Sequence, residues 1–216
     1  MMKKGIKTFL TISLSFILLL TISAFIISEP KPDFNIKNTK QIEAISISKI
    51  ETENTALGSF KSVMNFQQSS TRNTNKEFYG QEIRIKDNSN IDQILIGICN
   101  NLISRIEVLN KGKLIETKEL GFMNKMTWGE IQTMNIIFYD QRDSKHQGKS
   151  KITMRFYSGT GFLGDIGTIN LDLTKYGDVS GDKTISIFSK PLDIETIKSE
   201  PEFSNLSIWK NYQSFD

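Results

Sequence analysis

Ile103-Ser-Arg-Ile-Glu-Val-Leu109 and Lys113-Leu-Ile-Glu-Thr-Lys118, joined through Asn110-Lys111-Gly112, decide the class of this fold. Two short strand-like runs flanking turn chemistry are the signature of paired antiparallel strands. Gly112 accepts a left-handed backbone without steric cost, so the two limbs read as a hairpin.

The same pattern extends in both directions. On the N-terminal side, Gln81 to Lys86 alternates, Asp87 to Asn90 is turn chemistry, and Gln93 to Cys99 is a short buried run. On the C-terminal side, Met134 to Tyr139, Lys151 to Tyr157, Gly167 to Leu173 and Thr184 to Phe188 are four further strand candidates. Separators rich in Gly, Asp, Asn, Ser or Lys lie between them. Closely spaced strands without intervening helices predict a mainly β chain, with a single β-sandwich-like domain over residues 77–216. Residues 29–76 read as a spacer and lead-in segment. Within it Gln41 to Ile50 alternates like a strand, Asn54 to Phe66 has no decisive period, and Gln67 to Lys76 is a polar loop. Ile194 to Lys198 suits a short helix that Pro201 would end, and the aromatics Trp209 and Tyr212 should bring the tail back onto the domain.

Residues 1–28 are different in kind. Phe9 to Ile27 carries no charge over nineteen residues, with Lys3, Lys4 and Lys7 before it. Nineteen helical residues span about 30 Å, the hydrocarbon thickness of a bilayer. The lysines assign that end to the cytoplasm, so a single-pass transmembrane signal-anchor would place the remainder outside the cytoplasm. The alternative is a cleaved signal peptide and a secreted domain, although no Ala-x-Ala site is present. Pro30 and Pro32 would stop the helix.

The formal charge of +3 resides in those three lysines, and the rest of the chain balances at zero. A basic footprint for nucleic acid is absent. The single cysteine, Cys99, permits no internal disulfide and sits in an apolar run, where it reads as a small buried hydrophobe.

Catalytic patterns are sparse. Gly159-Thr-Gly161-Phe-Leu-Gly164 has dinucleotide-loop spacing, but a strand pattern follows it where a helix would have to begin. Gly177-Asp-Val-Ser-Gly-Asp182 resembles the calcium loop of dockerins and EF-hands. Lys183 and Ser189, however, stand where that loop needs a glycine and a bidentate acid. The only histidine, His146, lies in a polar loop. No cofactor and no metal are expected.

The remaining candidates are aromatic. In the Phe138-Tyr139 and Phe156-Tyr157 pairs, strand alternation sends the phenylalanines inward and the tyrosines outward. Tyr139 and Tyr157, exposed on neighbouring strands, are therefore the expected ligand-binding residues together with Trp128 of the irregular stretch Phe122 to Glu130, with cross-strand stabilisation of the sheet as the plainer alternative. The expectation for the whole is a membrane-anchored extracytoplasmic binding or assembly module of the cell envelope, with a protein or glycan partner. A glycan-acting hydrolase using paired carboxylates, and a secreted β-sandwich binding protein, are the alternatives.

Overall fold

The computed structural model describes residues 31–37, 45–47, 59–67, 77–99, 103–121, 131–140, 149–158, 165–191 and 202–210. They contain twelve strands: β1 (Phe34–Lys37), β2 (Ile45–Ile47), β3 (Phe60–Gln67), β4 (Glu77–Ile85), β5 (Gln93–Cys99), β6 (Ile103–Asn110), β7 (Lys113–Gly121), β8 (Ile131–Tyr139), β9 (Lys151–Ser158), β10 (Asp165–Asp172), β11 (Lys183–Pro191) and β12 (Glu202–Lys210). All belong to the compact unit Pro32–Asp216. The apolar run Phe9 to Ile27 expected to form a transmembrane helix lies outside the described residues, as do Trp128, His146 and the stretch 194–198. Among the described residues no helix is long and apolar enough to cross a membrane.

The hairpin expected around Asn110-Lys111-Gly112 is β6–β7. Its turn is Lys111-Gly112, both left-handed with φ of 49° and 75°, so the twist of the turn matches that of the strands it joins. Two antiparallel sheets of six strands follow, ordered β1-β12-β3-β8-β9-β10 and β2-β11-β4-β5-β6-β7. The mainly β expectation is met. The lead-in segment contributes more than a spacer: its β3 lies between β12 and β8, inside the first sheet.

Alternation on each strand builds one shared core. Phe60, Met64 and Phe66 of β3, Met134, Ile136 and Phe138 of β8, and Ile152, Met154 and Phe156 of β9 all face Ile83, Ile94, Ile96, Ile106 and Val108 of the second sheet. Fully burying one such side chain stabilises the fold by about 1.5–3 kcal/mol. Aromatic edges join the layers. Phe66 meets Tyr79 at 5.8 Å between ring centroids, and Tyr79 meets Phe203 at 6.3 Å. One polar bridge also crosses the interior, where Ser62 Oγ donates to Gln81 Oε1 at 2.5 Å.

At the flank of the sandwich the sheets are tied by charge. Lys175, in the 3₁₀ turn Thr174–Tyr176 after β10, pairs with Glu116 of β7 at 2.5 Å. The Tyr176 hydroxyl donates to the same carboxylate. Burial alone would raise the Glu116 pKa, but the bonds from Lys175 and Tyr176 outweigh it and hold the group below its ordinary value.

The calcium-like loop has a structural role in the fold. Asp178 Oδ1 accepts from Ser180 N, and Asn88 Nδ2 donates to the carbonyls of Tyr176 and Asp178. Lys183 is buried beneath it, at 1% exposure, and donates to the Gly181 carbonyl. Residue Asp165, beyond the glycine-rich stretch, opens a strand. That stretch joins two adjacent antiparallel strands, β9 and β10.

Candidate functional site

The two outer faces of the sandwich differ in how their polar groups are satisfied. On the second sheet they answer one another. Glu82 receives Gln93 at 2.7 Å and Ser186 at 3.2 Å and pairs with Arg84 at 2.6 Å. Glu107 takes Arg105 at 3.2 Å and Lys190 at 2.6 Å, and Glu119 also takes Arg105. Arg105 and Lys190 both lie over the Phe78 ring, at 5.7 and 5.4 Å. Beneath them Phe78, Leu95, Cys99 and Leu109 form a second, smaller apolar cluster. Cys99 belongs here, apart from the main core. Burial pushes its thiol up to about 11 against the opposing pull of Arg105, so a neighbouring cation does not make it reactive.

The outer face of the first sheet is built otherwise. Pairing across β12, β3, β8 and β9 sets Asn205, Asn65, Thr133 and Tyr157 in one row. Ser207, Val63, Asn135 and Arg155 form the next, and Trp209, Lys61, Ile137 and Thr153 a third. At about 4.8 Å between strands, each row is roughly 14 Å long. Some members bond within the face: Thr133 Oγ1 donates to Asn65 Oδ1 at 3.0 Å, and Thr153 Oγ1 to Asn170 Oδ1 at 2.7 Å. Lys61 Nζ lies 4.9 Å from the centre of the Trp209 ring.

Two acceptors on this face are left over. The side-chain oxygens of Asn135 and Asn205 are buried and have no hydrogen-bond partner among the described residues. Asn135, at the middle of the face, is only 6% exposed. The floor around it (Thr133, Ile137, Thr153 and Tyr157) is buried, whereas Asn65, Arg155, Asn205 and Trp209 at the margins are half-buried. Strands β3, β8 and β9 place no carboxylate on this face, which carries Lys61, Lys151 and Arg155 instead.

The tyrosines expected as ligand contacts lie here. Tyr139 and Tyr157 point away from the core, while Phe138 and Phe156 are inside it. Their expected exposure is not observed, however: they are only 3% and 6% exposed. Lys151 covers the Tyr139 ring at 4.6 Å. Alternation sets which face a ring takes; it carries no information about what lies over that face. Sequence reasoning missed Asn135 and Asn205. The available signal was an asparagine in the middle of an otherwise apolar strand, where its β-propensity is poor and its amide must find partners.

No family model matches the chain, and no curated protein matches it. Solved structures do. Lectin II from Ulex europaeus has a similar fold. The two chains superpose with a TM-score of 0.50 at 9% identity, over 83% of this chain and 99% of the lectin. The galectin LEC-6 of Caenorhabditis elegans gives 0.47 at 9% identity, over 81% of this chain and 94% of that one. A carbohydrate-binding module of the Ruminococcus gnavus sialidase, bound to a sialyllactose, gives 0.42 at 13% identity, over 81% and 93%. At these identities the likeness concerns the fold.

Proposed function

We propose that the chain is a glycan-binding module, and that the outer face of the first sheet is its binding surface. The observation that carries this reading is the Asn135 amide oxygen, buried at the middle of that face without a hydrogen-bond partner among the described residues, beside threonine and asparagine side chains that do bond one another. A buried acceptor left without a partner costs about 1–3 kcal/mol, so its retention calls for a reason. A sugar hydroxyl supplies one, because it donates to such an oxygen and accepts from the adjoining amide and guanidinium N–H groups. The fold shared with lectin II of Ulex europaeus accords with this use without specifying a sugar.

The test is a glycan array probed with the full chain in detergent micelles, with N135L and R155A alongside. Binding to a defined set of glycans, lost in both variants, is the expected result. Binding that survives both substitutions removes this face from the reading.

We also propose that residues 9–27 anchor the module to a membrane and present it outside the cytoplasm, as their length and preceding lysines suggest. Intact mass of the C-terminally tagged protein from carbonate-washed membranes tests this. A full-length mass in the pellet is expected, and a shortened soluble species means release after cleavage.

A further inference from the structure

Among the described residues the exposed large apolar side chains are Leu114, Ile115 and Leu120, at 51%, 47% and 39% exposure, and all three belong to β7. Among the described residues that strand ends the second sheet, bonded to β6 on one side and to no strand on the other. An edge strand with apolar residues in water is a template for adding another strand. Edges are ordinarily defended by charge, so the decisive question is what the charges of β7 repel.

They do not repel their own copy. An antiparallel pair keeps its partners on the same face, so a two-fold pairing of β7 with itself must centre on a residue. Centred on Glu116, Lys118 or Glu119, it sets a like charge against itself. Centred on Thr117, it sets Glu116 of each copy opposite Lys118 of the other and Ile115 opposite Glu119, with no like-charge pair. The bulge between β6 and β7 ends this ladder at Ile115 and brings Leu114 of one copy beside Leu120 of the other, at its two ends. The strand is also held in place beforehand. Glu116 is fixed by Lys175 and Tyr176, and Lys118 donates to the Asn170 carbonyl.

We propose that β7 is a self-association edge, on which a second copy of this chain docks antiparallel about Thr117 and continues the second sheet across a two-fold axis. This surface is separate from the outer face of the first sheet, and the inference does not rest on the glycan-binding reading. It would present two such faces from one assembly, and so give avidity to sites that are individually weak.

Cysteine cross-linking of the full chain in native membranes tests it. At the axis, Thr117→Cys lies about 4.5–5.5 Å from its own copy between Cα atoms, within disulfide reach. Lys113→Cys, equally exposed but four residues along, lies about 27 Å from its copy in this register. The native Cys99 is buried, so the wild type supplies the background. Under mild oxidation T117C should run mainly as a disulfide-linked dimer, several-fold above K113C and the wild type. T117C no more dimeric than K113C overturns the proposal, whether both cross-link or neither does.

Discussion

Replacing Asn135 by leucine separates a binding role for this residue from a structural one, because the two predict opposite signs. The side chain is 6% exposed, its oxygen has no partner among the described residues, and it faces Val63 on one side and Arg155 on the other. Leucine has the same branching and number of heavy atoms but a larger volume, so the substitution opens no cavity and somewhat overfills the site. What changes is the polar group. Removing a buried acceptor without a partner returns its desolvation penalty, about 1–3 kcal/mol on the mutational scale, less the cost of overfilling. For a domain of this size each kcal/mol moves Tm by about 2–4 °C, so N135L should melt above the wild type, by up to about 12 °C. Thermal and urea unfolding of the full chain in detergent, followed by tryptophan fluorescence, provides the assay, and an unchanged m-value shows that the two-state comparison holds. Glycan binding should be lost in the same variant. A stabilised protein that no longer binds is what a residue kept for its ligand produces. A lower Tm in both N135L and the smaller N135V would refute the reasoning, because it would mean that the amide satisfies something the folded chain needs.

Three further outcomes are expected. Gly97 stands opposite Gly80, where a Cβ would come within 1.9 Å of the Tyr79 carbonyl oxygen, so G97A should destabilise the fold by about 1–3 kcal/mol or more in urea titrations, while an alanine at the open turn position Gly112 would show only its left-handed strain. The Cys99 thiol, buried and raised to about 11, should resist iodoacetamide at pH 8 in the native state and label fully in denaturant. The sign of its pH dependence follows from the same shift. The folded thiol keeps its proton to higher pH than the unfolded one, so its contribution to stability is whole below the ordinary value of 9.0 and is lost as pH rises through about 11. C99V should flatten that alkaline loss, and an unchanged slope would show that the thiol does not cause it.

What the sequence determined by itself was local. Period-two alternation and turn residues act within a few positions, so the strands from Gln81 to Phe188 were legible one at a time, as was the hairpin at Lys111-Gly112. Alternation likewise assigned Phe138 and Phe156 to the core and Tyr139 and Tyr157 to the other face. Tertiary structure decided everything that depends on a distant partner. Asn54 to Phe66 has no decisive period, yet Phe60–Gln67 becomes an interior strand because β12, 135 or more residues further on, and β8 pair with its two edges. The burial of the tyrosines and the absence of a partner for Asn135 depend on which strands were brought alongside and on what covers them. A side chain's direction is a property of its own backbone, whereas its solvent, hydrogen-bond partners and charge neighbours belong to residues far away in the chain. For that reason the fold class could be read from the sequence and the candidate site could not.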